Sequence, residues 1–472
     1  MRTIVWFRGK DLRIADHAPL RDAVDTGEVI PLFVLDPGLF APARARELPH
    51  RMQFLLDSLR ELEAGLGDRG GRLVVVPGES VEVVSRLAQR WRADRVVAYR
   101  RVEPFAREQD RRLRGALGGK LELHEGETLL KPGTLRTVAG NPYAIFSRFA
   151  RAFWKTVSVA SPIPAPRRLP PLPDGVPART APIPSCEALG IARNPAILAG
   201  GERAGRARLR KFLRAAAFAY SERRDRMDIA GTSRLSADLN SGTLSVRQVW
   251  TEVENALGGS RSARSFLNEL VWREFHHSTL WDRPELLEKP FRPAFAGFPW
   301  GYDEALWRAW VLGRTGYPVV DASARQLLGE GFLHNRARMI SASFLTKHLL
   351  IDYRRGEAHY MKFLTDGDPA QNNAGWQWSA GCGCDAQPYF RMFNPVTQGE
   401  KFDPEGNYVR RWVPELARLP SRYIHRPWEA PEPVLREAGV RLGKGYPRPV
   451  VDHRAARMRF LSLAARHLKS RN

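Results

Sequence analysis

The amino-acid sequence predicts an α/β domain and an all-α domain in one chain of 472 residues. Three observations lead to this prediction. Short apolar segments first alternate with helix-periodic segments, a proline-rich stretch follows, and helical periodicity alone continues beyond it. The predicted boundaries are residues 1–130 for a doubly wound parallel sheet with helices, 131–200 for a long linker, and 201–472 for the helical domain.

Five apolar segments of strand length occupy the first domain: Thr3–Arg8, Val29–Asp36, Arg72–Val76, Arg95–Tyr99 and Leu121–His124. Segments with helical periodicity lie between them, at Ala18–Val24, Met52–Leu66, Val81–Trp91 and Phe105–Leu117. This alternation is typical of βαβ units and a parallel sheet. The first strand is followed by Gly9-Lys10-Asp11 and not by a G-x-G-x-x-G turn, so the sequence does not favour ordinary dinucleotide binding there.

The middle and the C-terminal half differ in composition from the first domain. Ser161–Pro184 is too rich in proline for regular structure and is interpreted as a linker. Helix-periodic segments then follow at 203–219, 245–257, 261–280, 303–312, 321–331, 334–354 and 357–364, with a short basic helix after Pro449. The second half is therefore expected to be all-α.

The balance of charge indicates a polyanionic partner. The chain has 74 Lys and Arg against 51 Asp and Glu, a net charge of +23, which favours nucleic-acid binding over a simple arginine bias. Three cysteines, Cys186, Cys382 and Cys384, are too few for a disulfide framework, and Cys382-Gly383-Cys384 has no matching ligand pair nearby. We expect a cytoplasmic protein without a metal site, and the sequence has no apolar run of membrane-spanning length.

Hydroxyl side chains precede one predicted helix of the second half. Tyr220 and the run Gly231–Ser236, with Thr232, Ser233 and Ser236, offer donors to a phosphate. A plain helix cap is the alternative, although capping needs one hydroxyl and not three.

Two further clusters have helical spacing. Glu269, Trp272 and Arg273 lie at i, i+3 and i+4 and share a helix face that can bind a flat heterocycle. Asn335, Arg338 and Met339 also fall at helical spacing, and methionine suits a close ring contact. The alternatives are an exposed salt-bridged face for the first cluster and an ordinary amphipathic helix for the second.

The segment Asp366–Trp378 has the most unusual composition. It combines two carboxylates, two adjacent amides and two tryptophans, while two glycines and a proline argue against one helix through all of it. This mixture suits a pocket for a flat, hydrogen-bonding ligand, and a buried, capped turn is the alternative. The aromatic turn Pro388–Pro395 carries Arg391, which could meet a phosphate, although a structural turn is the favoured interpretation.

Together these segments resemble the photolyase/cryptochrome family over nearly the whole chain, and most closely its bacterial class I members that repair cyclobutane pyrimidine dimers. The resemblance rests on Trp6-Phe7-Arg8 with Asp11-Leu12-Arg13, Asn141-Pro142-Tyr143, Glu269–Phe275, Thr315–Asp321, His334–Met339 and Asp366–Trp378. It implies a monomeric, light-dependent carbon–carbon lyase that binds UV-damaged DNA and holds FAD inside the helical domain.

By this resemblance the FAD-binding residues would be Tyr220, Thr232, Ser233, Leu235, Ser236, Arg273, Arg338, Asp366, Asp368 and Asn372. The residues from 220 to 236 would hold the phosphates. Arg338 and Asp366 would pair over the isoalloxazine, with Asp368 near its polar edge and the adenine. Asn372 would face flavin N5 and support the reduced states, whereas plant-type cryptochromes typically carry Asp there.

By the same resemblance the lesion-binding residues would be Arg224, Glu269, Trp272, Asn335, Arg336, Met339, Trp378 and Arg391. The two tryptophans would wall a flipped pyrimidine dimer, Met339 would press on it, and the arginines would contact its phosphates. Glu269 and Asn335 would hydrogen-bond the base edges, and Glu269 would also stabilise the dimer radical anion. The (6-4) photolyases use paired histidines where this chain has Asn335 and Met339, so cyclobutane-dimer repair is the favoured function.

The resemblance also implies a light-driven mechanism. Excited, reduced FADH⁻ gives one electron to the dimer, the cyclobutane ring splits, and the electron returns to the flavin. Three tryptophans usually carry electrons from the surface to oxidised flavin. Trp376 and Trp300 match the inner and outer members, but Tyr353 stands in the middle position. Because tyrosine oxidation normally requires loss of the phenolic proton, we expect photoreduction to be slower or to take another route.

Several alternatives stay open. The antenna chromophore would be a folate, a deazaflavin or a second flavin near Val102-Glu103-Pro104 and Ala43–Phe54, unless the pocket is empty. A cryptochrome-type photoreceptor would be expected to show a long C-terminal extension and loss of the lesion contacts. A non-enzymatic basic DNA-binding protein would not need Asn372, Arg338 and Asp366 together.

Overall fold

The computed structural model describes residues 1–177, 180–386, 388 and 390–469. Ala178 and Arg179 of the predicted linker, and Tyr389 of the predicted aromatic turn, lie outside the described residues. The chain forms two compact units. The first comprises Met1–Ser221, Ser233–Pro284 and Thr365–Ala370, and the second Glu222–Thr232, Glu285–Leu364 and Gln371–Asn472. The domain boundaries expected from the sequence stay a prediction.

A five-stranded parallel sheet lies in the first unit. Its strands are β1 (Arg2–Phe7), β2 (Glu28–Leu35), β3 (Val74–Pro77), β4 (Arg95–Tyr99) and β5 (Leu121–His124), in the order β3-β2-β1-β4-β5. Each overlaps a predicted strand. The strand order reverses between β1 and β4, so the carboxyl ends of these two strands form the topological switch point of the sheet.

Both faces of the sheet are covered, which explains why its strands read as continuous apolar runs and not as alternating ones. Val5 and Phe7 of β1 point into one buried cluster, and Ile4 and Trp6 into another. The helices of the first unit are α1 (Ala18–Thr26), α2 (Pro37–Phe40), α3 (Pro42–Arg46), α4 (Pro49–Gly67), α5 (Ser80–Arg90), α6 (Pro104–Ala116), α7 (Phe146–Thr156), α8 (Glu202–Arg214), α9 (Tyr220–Arg223, which reaches into the second unit), α10 (Ser236–Ser241), α11 (Val246–Leu257) and α12 (Arg261–Asp282).

The second unit is helical. Its helices are α13 (Glu304–Val311), α14 (Pro318–Glu330), α15 (Asn335–Ser343), a π-helix (Phe344–His348), α16 (Tyr353–Phe363), α17 (Pro369–Ala380, which begins in the first unit), α18 (Pro395–Phe402), α19 (Asn407–Trp412), α20 (Ser421–Ile424), α21 (Glu432–Glu437) and α22 (His453–Lys469). The predicted combination of an α/β part and an all-α part is confirmed. None of the helices described is both long and apolar enough to cross a membrane.

One local prediction was wrong. The helix predicted over 334–354 is interrupted by the π-helix, by Leu350 in the left-handed region (φ +57°), and by Asp352, whose side chain caps α16 by accepting from the Arg354 amide. The expectation that no single helix runs through all of Asp366–Trp378 is confirmed, because α17 begins at Pro369, although Gly375 lies inside it. Pro369 stands at the start of α17, where its missing N–H costs nothing.

Candidate functional site

The two carboxylates of the segment Asp366–Trp378 are buried beside a cation. Asp366 is 8% exposed and Asp368 is 4% exposed. Burial lowers the pKa of the neighbouring Arg51 guanidinium to about 10, against the opposing attraction of both acids. Gly367 lies between the acids, and a Cβ there would come so close to this guanidinium that the Arg51 side chain would have to shift. Arg51 was not among the residues that the sequence indicated.

Asp368 has further partners at the carboxyl end of the sheet. Its Oδ2 accepts from Lys10 Nζ at 2.7 Å and lies 3.4 Å from Nε2 of His277. Burial disfavours the carboxylate, but Lys10 and His277 outweigh that effect and hold the pKa of Asp368 well below its ordinary value. Asp368 is therefore an ionised hydrogen-bond acceptor.

The predicted helix face on α12 is formed, and its members have different surroundings. Trp272 stacks on Phe146 with ring centroids 3.5 Å apart and planes 8° from parallel, which fixes the orientation of the indole. Arg273 is buried and donates to the backbone carbonyl of Glu127 at 2.6 Å. Glu269 is half-buried on the same face. The face therefore offers a rigid aromatic group and a carboxylate, while Arg273 also holds backbone.

The hydroxyl-rich run ends in α10. This helix begins at Ser236 with Leu235 as its N-cap residue, and in the described part of the chain no side-chain capping hydrogen bond is formed there. Ser233 Oγ accepts from the Leu235 amide at 3.4 Å, and Tyr220 is buried. The hydroxyl side chains therefore do not act as a helix cap of α10, which was the alternative to phosphate binding. The first amides of the helix are left without a side-chain cap.

The predicted face on α15 is also formed. Asn335 Nδ2 lies 3.7 Å from the Met339 sulfur, and Arg336 Nη1 lies 3.8 Å from it. Arg336 also pairs with Asp225 at 2.8 Å. His334 caps the helix by accepting from the Arg336 amide, and burial lowers the pKa of this histidine to about 4. His334 is thus a neutral cap.

Asn372 is buried on α17 with its amide nitrogen engaged. Nδ2 donates to the backbone carbonyl of Glu357 on α16 at 3.0 Å. The next residue, Asn373, donates to the Glu357 carboxylate at 3.1 and 3.2 Å. Burial raises the pKa of Glu357 to about 7, although the Asn373 hydrogen bonds favour the charged form. Glu357 was missed in the sequence because nothing local sets it apart.

Aromatic rings surround Trp376. The indole is 2% exposed and contacts Tyr360 and Trp310 at centroid distances of 4.8 and 6.0 Å. Trp310 in turn stacks on Trp307 at 5.5 Å. Tyr353 contacts Trp300 at 6.4 Å, and burial raises the pKa of its phenol. The sequence offered one signal for Trp307 and Trp310, since they lie three apart on one helix.

The other predicted residues are placed as follows: Trp378 is half-buried on α17, Arg391 is exposed, Arg224 is half-buried just after α9, Thr232 is half-buried, and Arg338 donates to the Leu333 carbonyl at 2.9 Å. Arg338 and Asp366 belong to different units, as do Trp272 and Trp378. Their predicted pairings stay predictions.

The chain was compared with known families and proteins. A family model described as DNA photolyase matches residues 3–168, and one described as the FAD binding domain of DNA photolyase matches residues 266–466. The deoxyribodipyrimidine photo-lyase of Agrobacterium fabrum is 41% identical over 481 residues, which cover 98% of this chain and 97% of that protein. The chain belongs to the DNA photolyase family. These matches confirm the family and the FAD cofactor that were expected from the sequence. They also confirm the expected enzyme class, deoxyribodipyrimidine photo-lyase.

Solved structures of the photolyase family have the same two-domain fold. A bacterial class III photolyase from Agrobacterium tumefaciens has a TM-score of 0.93 at 40% identity, covering 99% of this chain and 98% of that chain. The cryptochrome of Synechocystis sp. PCC6803 has a TM-score of 0.90 at 31% identity, covering 98% and 99%. The fold alone does not separate repair from photoreception.

Proposed function

We propose that this photolyase repairs UV-damaged DNA by splitting cyclobutane pyrimidine dimers under blue light. The observation that carries the proposal is the orientation of Asn372. Its Nδ2 donates to the Glu357 carbonyl, so Oδ1 is the atom that can accept from a protonated flavin N5. An acceptor there favours the reduced flavin that repair requires. The name of the curated relatives, deoxyribodipyrimidine photo-lyase, supports the same reaction.

The residues present fit FAD. The uncapped start of α10 suits a phosphate, and Thr232, Ser233 and Ser236 would bind the phosphates around it. Asp366, Asp368, Arg273 and Arg338 would orient the ring system, and Tyr220 and Leu235 would complete the lining. When bound, reduced and excited by light, FAD supplies the electron that opens the cyclobutane ring.

The lesion would bind against side chains that are already held in place. Trp272 is fixed by its stack on Phe146, and Asn335 and Met339 contact each other before any substrate arrives. Preformed groups of this kind bind at a lower entropic cost. Trp378 would complete the wall, Glu269 and Asn335 would bind the base edges, and Arg224, Arg336 and Arg391 would bind phosphates.

Glu269 would also act during ring opening. A half-buried carboxyl group on the same helix face as a fixed indole can donate a hydrogen bond or a proton to the base carbonyl on which negative charge develops. Asn335, and not a histidine, stands on α15 beside Met339, which favours cyclobutane dimers over (6-4) photoproducts.

The antenna, the assembly and the compartment also belong to this proposal. We propose a monomer acting in the cytoplasm, with a folate, a deazaflavin or a second flavin as an optional antenna. Of the residues predicted near the antenna, Glu103 is engaged in ion pairs with Lys10 and Arg101. Because Glu103 is already paired, we propose the region Ala43–Phe54 as the binding site of the antenna.

Illumination of the purified holoenzyme with a dimer-containing oligonucleotide tests the function. Blue light should restore intact pyrimidines from a cyclobutane dimer and leave a (6-4) photoproduct unchanged. Flavin binding without repair of either lesion would favour a cryptochrome-type photoreceptor. Absence of flavin bands in the absorption spectrum would favour a non-enzymatic DNA-binding protein.

Substitution of Trp272 tests the lesion site. Trp272→Ala should weaken binding of dimer-containing DNA about tenfold, a typical loss for one aromatic contact to a base, with unchanged flavin content. Trp281→Ala is the matched control, because Trp281 lies on the same helix and packs against Arg107. Equal losses in both variants would contradict the assignment of Trp272.

A further inference from the structure

The loop after β1 enters the switch point of the sheet. In open α/β sheets this crevice usually receives a ligand, but here it receives the side chain of Lys10. Gly9, at φ +84°, lets the chain turn sharply before Lys10. Gly242, at φ +66°, lies so close to the Lys10 carbonyl that a Cβ there would collide with it. The backbone of Lys10 is therefore fixed from both sides.

Three carboxylates meet the Lys10 ammonium. Nζ forms ion pairs with Glu103, with Glu127 at 2.9 Å and with Asp368 at 2.7 Å. The side chains are almost fully buried, with 10% of Lys10, 4% of Glu127 and 5% of Asp368 exposed. The three acids come from the loop after β4, the loop after β5 and the segment before α17. The ammonium is therefore in direct contact with all three acids.

Four other cationic or titratable groups face this cluster: Arg51 and Arg273, which both attract the Asp368 carboxylate, and Arg101 and His277. Arg101 binds Glu103 at 3.0 Å and lies 3.9 Å from Glu127. His277 Nε2 lies 3.4 Å from Asp368 and 3.8 Å from Glu127, while Nδ1 faces the Arg273 carbonyl at 2.9 Å. Arg101 has its bidentate partner in Glu103. Lys10 is therefore a permanent cation whose Nζ donates directly to Asp368 Oδ2, at 2.7 Å.

Removal of Lys10 would leave Asp368 in a buried site with its neighbours Glu103 and Glu127 also negative. Buried carboxylates of like charge do not all stay ionised, so one of them would take up a proton or turn away. Glu127, His277 and Asp368 could in isolation hold a metal ion. The ammonium, however, already makes close contacts with the oxygens of two of these three groups.

We propose that Lys10 is a positioning residue for the flavin, which acts by keeping Asp368 ionised and fixed in orientation. The inference rests on the proposed function, in which Asp368 lies near the polar edge of the isoalloxazine and the adenine. A fixed, ionised carboxylate accepts hydrogen bonds from the N–H groups that these rings present there. The sheet domain thus contributes to cofactor binding through one lysine of the loop after β1.

A double-mutant cycle tests this coupling. Lys10→Met, Asp368→Asn and the double variant are prepared as full-length protein, stripped of flavin and titrated with FAD. Lys10→Met should weaken FAD binding about tenfold in the wild-type background and far less in the Asp368→Asn background, because directly contacting residues are not additive. Lys10→Arg should recover most of the affinity. The midpoint potential of the bound flavin should shift with Lys10→Met and not with Lys10→Arg.

Lys120→Met is the matched control, because Lys120 Nζ donates to the Ala93 carbonyl in the same α/β part of the chain. If Lys10→Met does not fold, Lys10→Gln takes its place in the cycle. Equal losses in both backgrounds, or an unchanged affinity, would overturn the proposal while leaving repair by the wild type intact. If Zn²⁺ raised the FAD affinity of the wild type, the cation of the cluster would be a metal ion and not the Lys10 ammonium. Wild type that binds no FAD would overturn both this inference and the proposed function.

Discussion

The ionic cluster around Lys10 and the aromatic cluster around Trp376 are both buried, but they are stabilised in different ways. In the first, Lys10 binds carboxylates from three parts of the chain, and Asp368 stays ionised despite burial. In the second, Trp376 contacts Tyr360 and Trp310 through ring faces and edges. The segment Asp366–Trp378 supplies one residue to each cluster.

This difference predicts how each cluster responds to substitution. Loss of one partner from the ionic cluster leaves a buried charge without compensation, which costs several kcal/mol. An aromatic cluster tolerates a similar ring at a lower cost, because dispersion contacts are many and individually weak. Conservative changes at Trp376 should therefore affect electron transfer more than folding.

We expect the strongest effect on electron transfer from Trp376→Phe. Phenylalanine keeps most of the packing but is much harder to oxidise than indole. Photoreduction of oxidised flavin should slow by at least about a hundredfold, equivalent to about 2.7 kcal/mol of barrier. Repair by pre-reduced enzyme should continue. Flavin absorbance during illumination measures the first rate, and dimer turnover measures the second.

Trp250→Phe is the matched control for this change, because Trp250 is a buried tryptophan of the first unit. It should leave both rates unchanged. Loss of repair in pre-reduced Trp376→Phe would show that Trp376 has a structural role beyond electron transfer.

Glu357 differs from Asp368, since burial suppresses the charge of Glu357 whereas Lys10 preserves that of Asp368. Burial raises the pKa of Glu357 from 4.5 to about 7. This raised pKa favours the folded state fully below pH 4.5, and the contribution is lost as the pH rises to about 7. The wild type should therefore lose up to roughly 3 kcal/mol over this range relative to Glu357→Gln. Urea unfolding of both flavin-free proteins at pH 5 and pH 8 measures the difference, and parallel pH profiles would contradict it.

Gly356 tests how tightly the aromatic cluster is packed. A Cβ at this position would collide with the Trp376 ring and with Leu345. Gly356→Ala should therefore destabilise the protein by about 1–3 kcal/mol, as overpacking does. Gly375→Ala is the control, because Gly375 lies inside α17 and a Cβ there meets nothing within 4 Å. It should be neutral or slightly stabilising, as measured by thermal unfolding.

The two clusters also differ in how far the sequence could predict them. The strands were found because each is a short apolar run between turns. Glu269 with Trp272 and Asn335 with Met339 were found because helical spacing places them on one face. The interruption of the helix predicted over 334–354 was missed, since its periodicity continues through the cap residue Asp352.

The ionic cluster could not be predicted in the same way. Lys10, Glu103, Glu127, His277 and Asp368 are distant in the sequence, and no local pattern connects them. The sequence indicated only that the loop after β1 lacks a phosphate-binding glycine pattern. That absence did not reveal that a lysine fills the crevice, because the acids arrive there through tertiary contacts.

Tyr353 gives the smallest and most discriminating expected effect. Tyrosine oxidation normally requires loss of the phenolic proton, and burial makes that loss harder by raising the pKa of the Tyr353 phenol. Tyr353→Trp should therefore speed photoreduction several-fold. The contact of Trp376 with Trp310 offers another route in the wild type, so Trp310→Phe should slow photoreduction there and have less effect in the Tyr353→Trp background.

Substitution of Trp307 tests whether the route through Trp310 continues beyond that residue. It stacks on Trp310, but the Arg355 guanidinium lies 4.5 Å from its ring centroid. A fixed positive charge disfavours a radical cation on this indole, so Trp307→Phe should slow photoreduction less than Trp310→Phe. Equal rates of photoreduction in the wild type and Tyr353→Trp would show that the tyrosine does not limit the process. Equal rates in the wild type and Trp310→Phe would remove the second route.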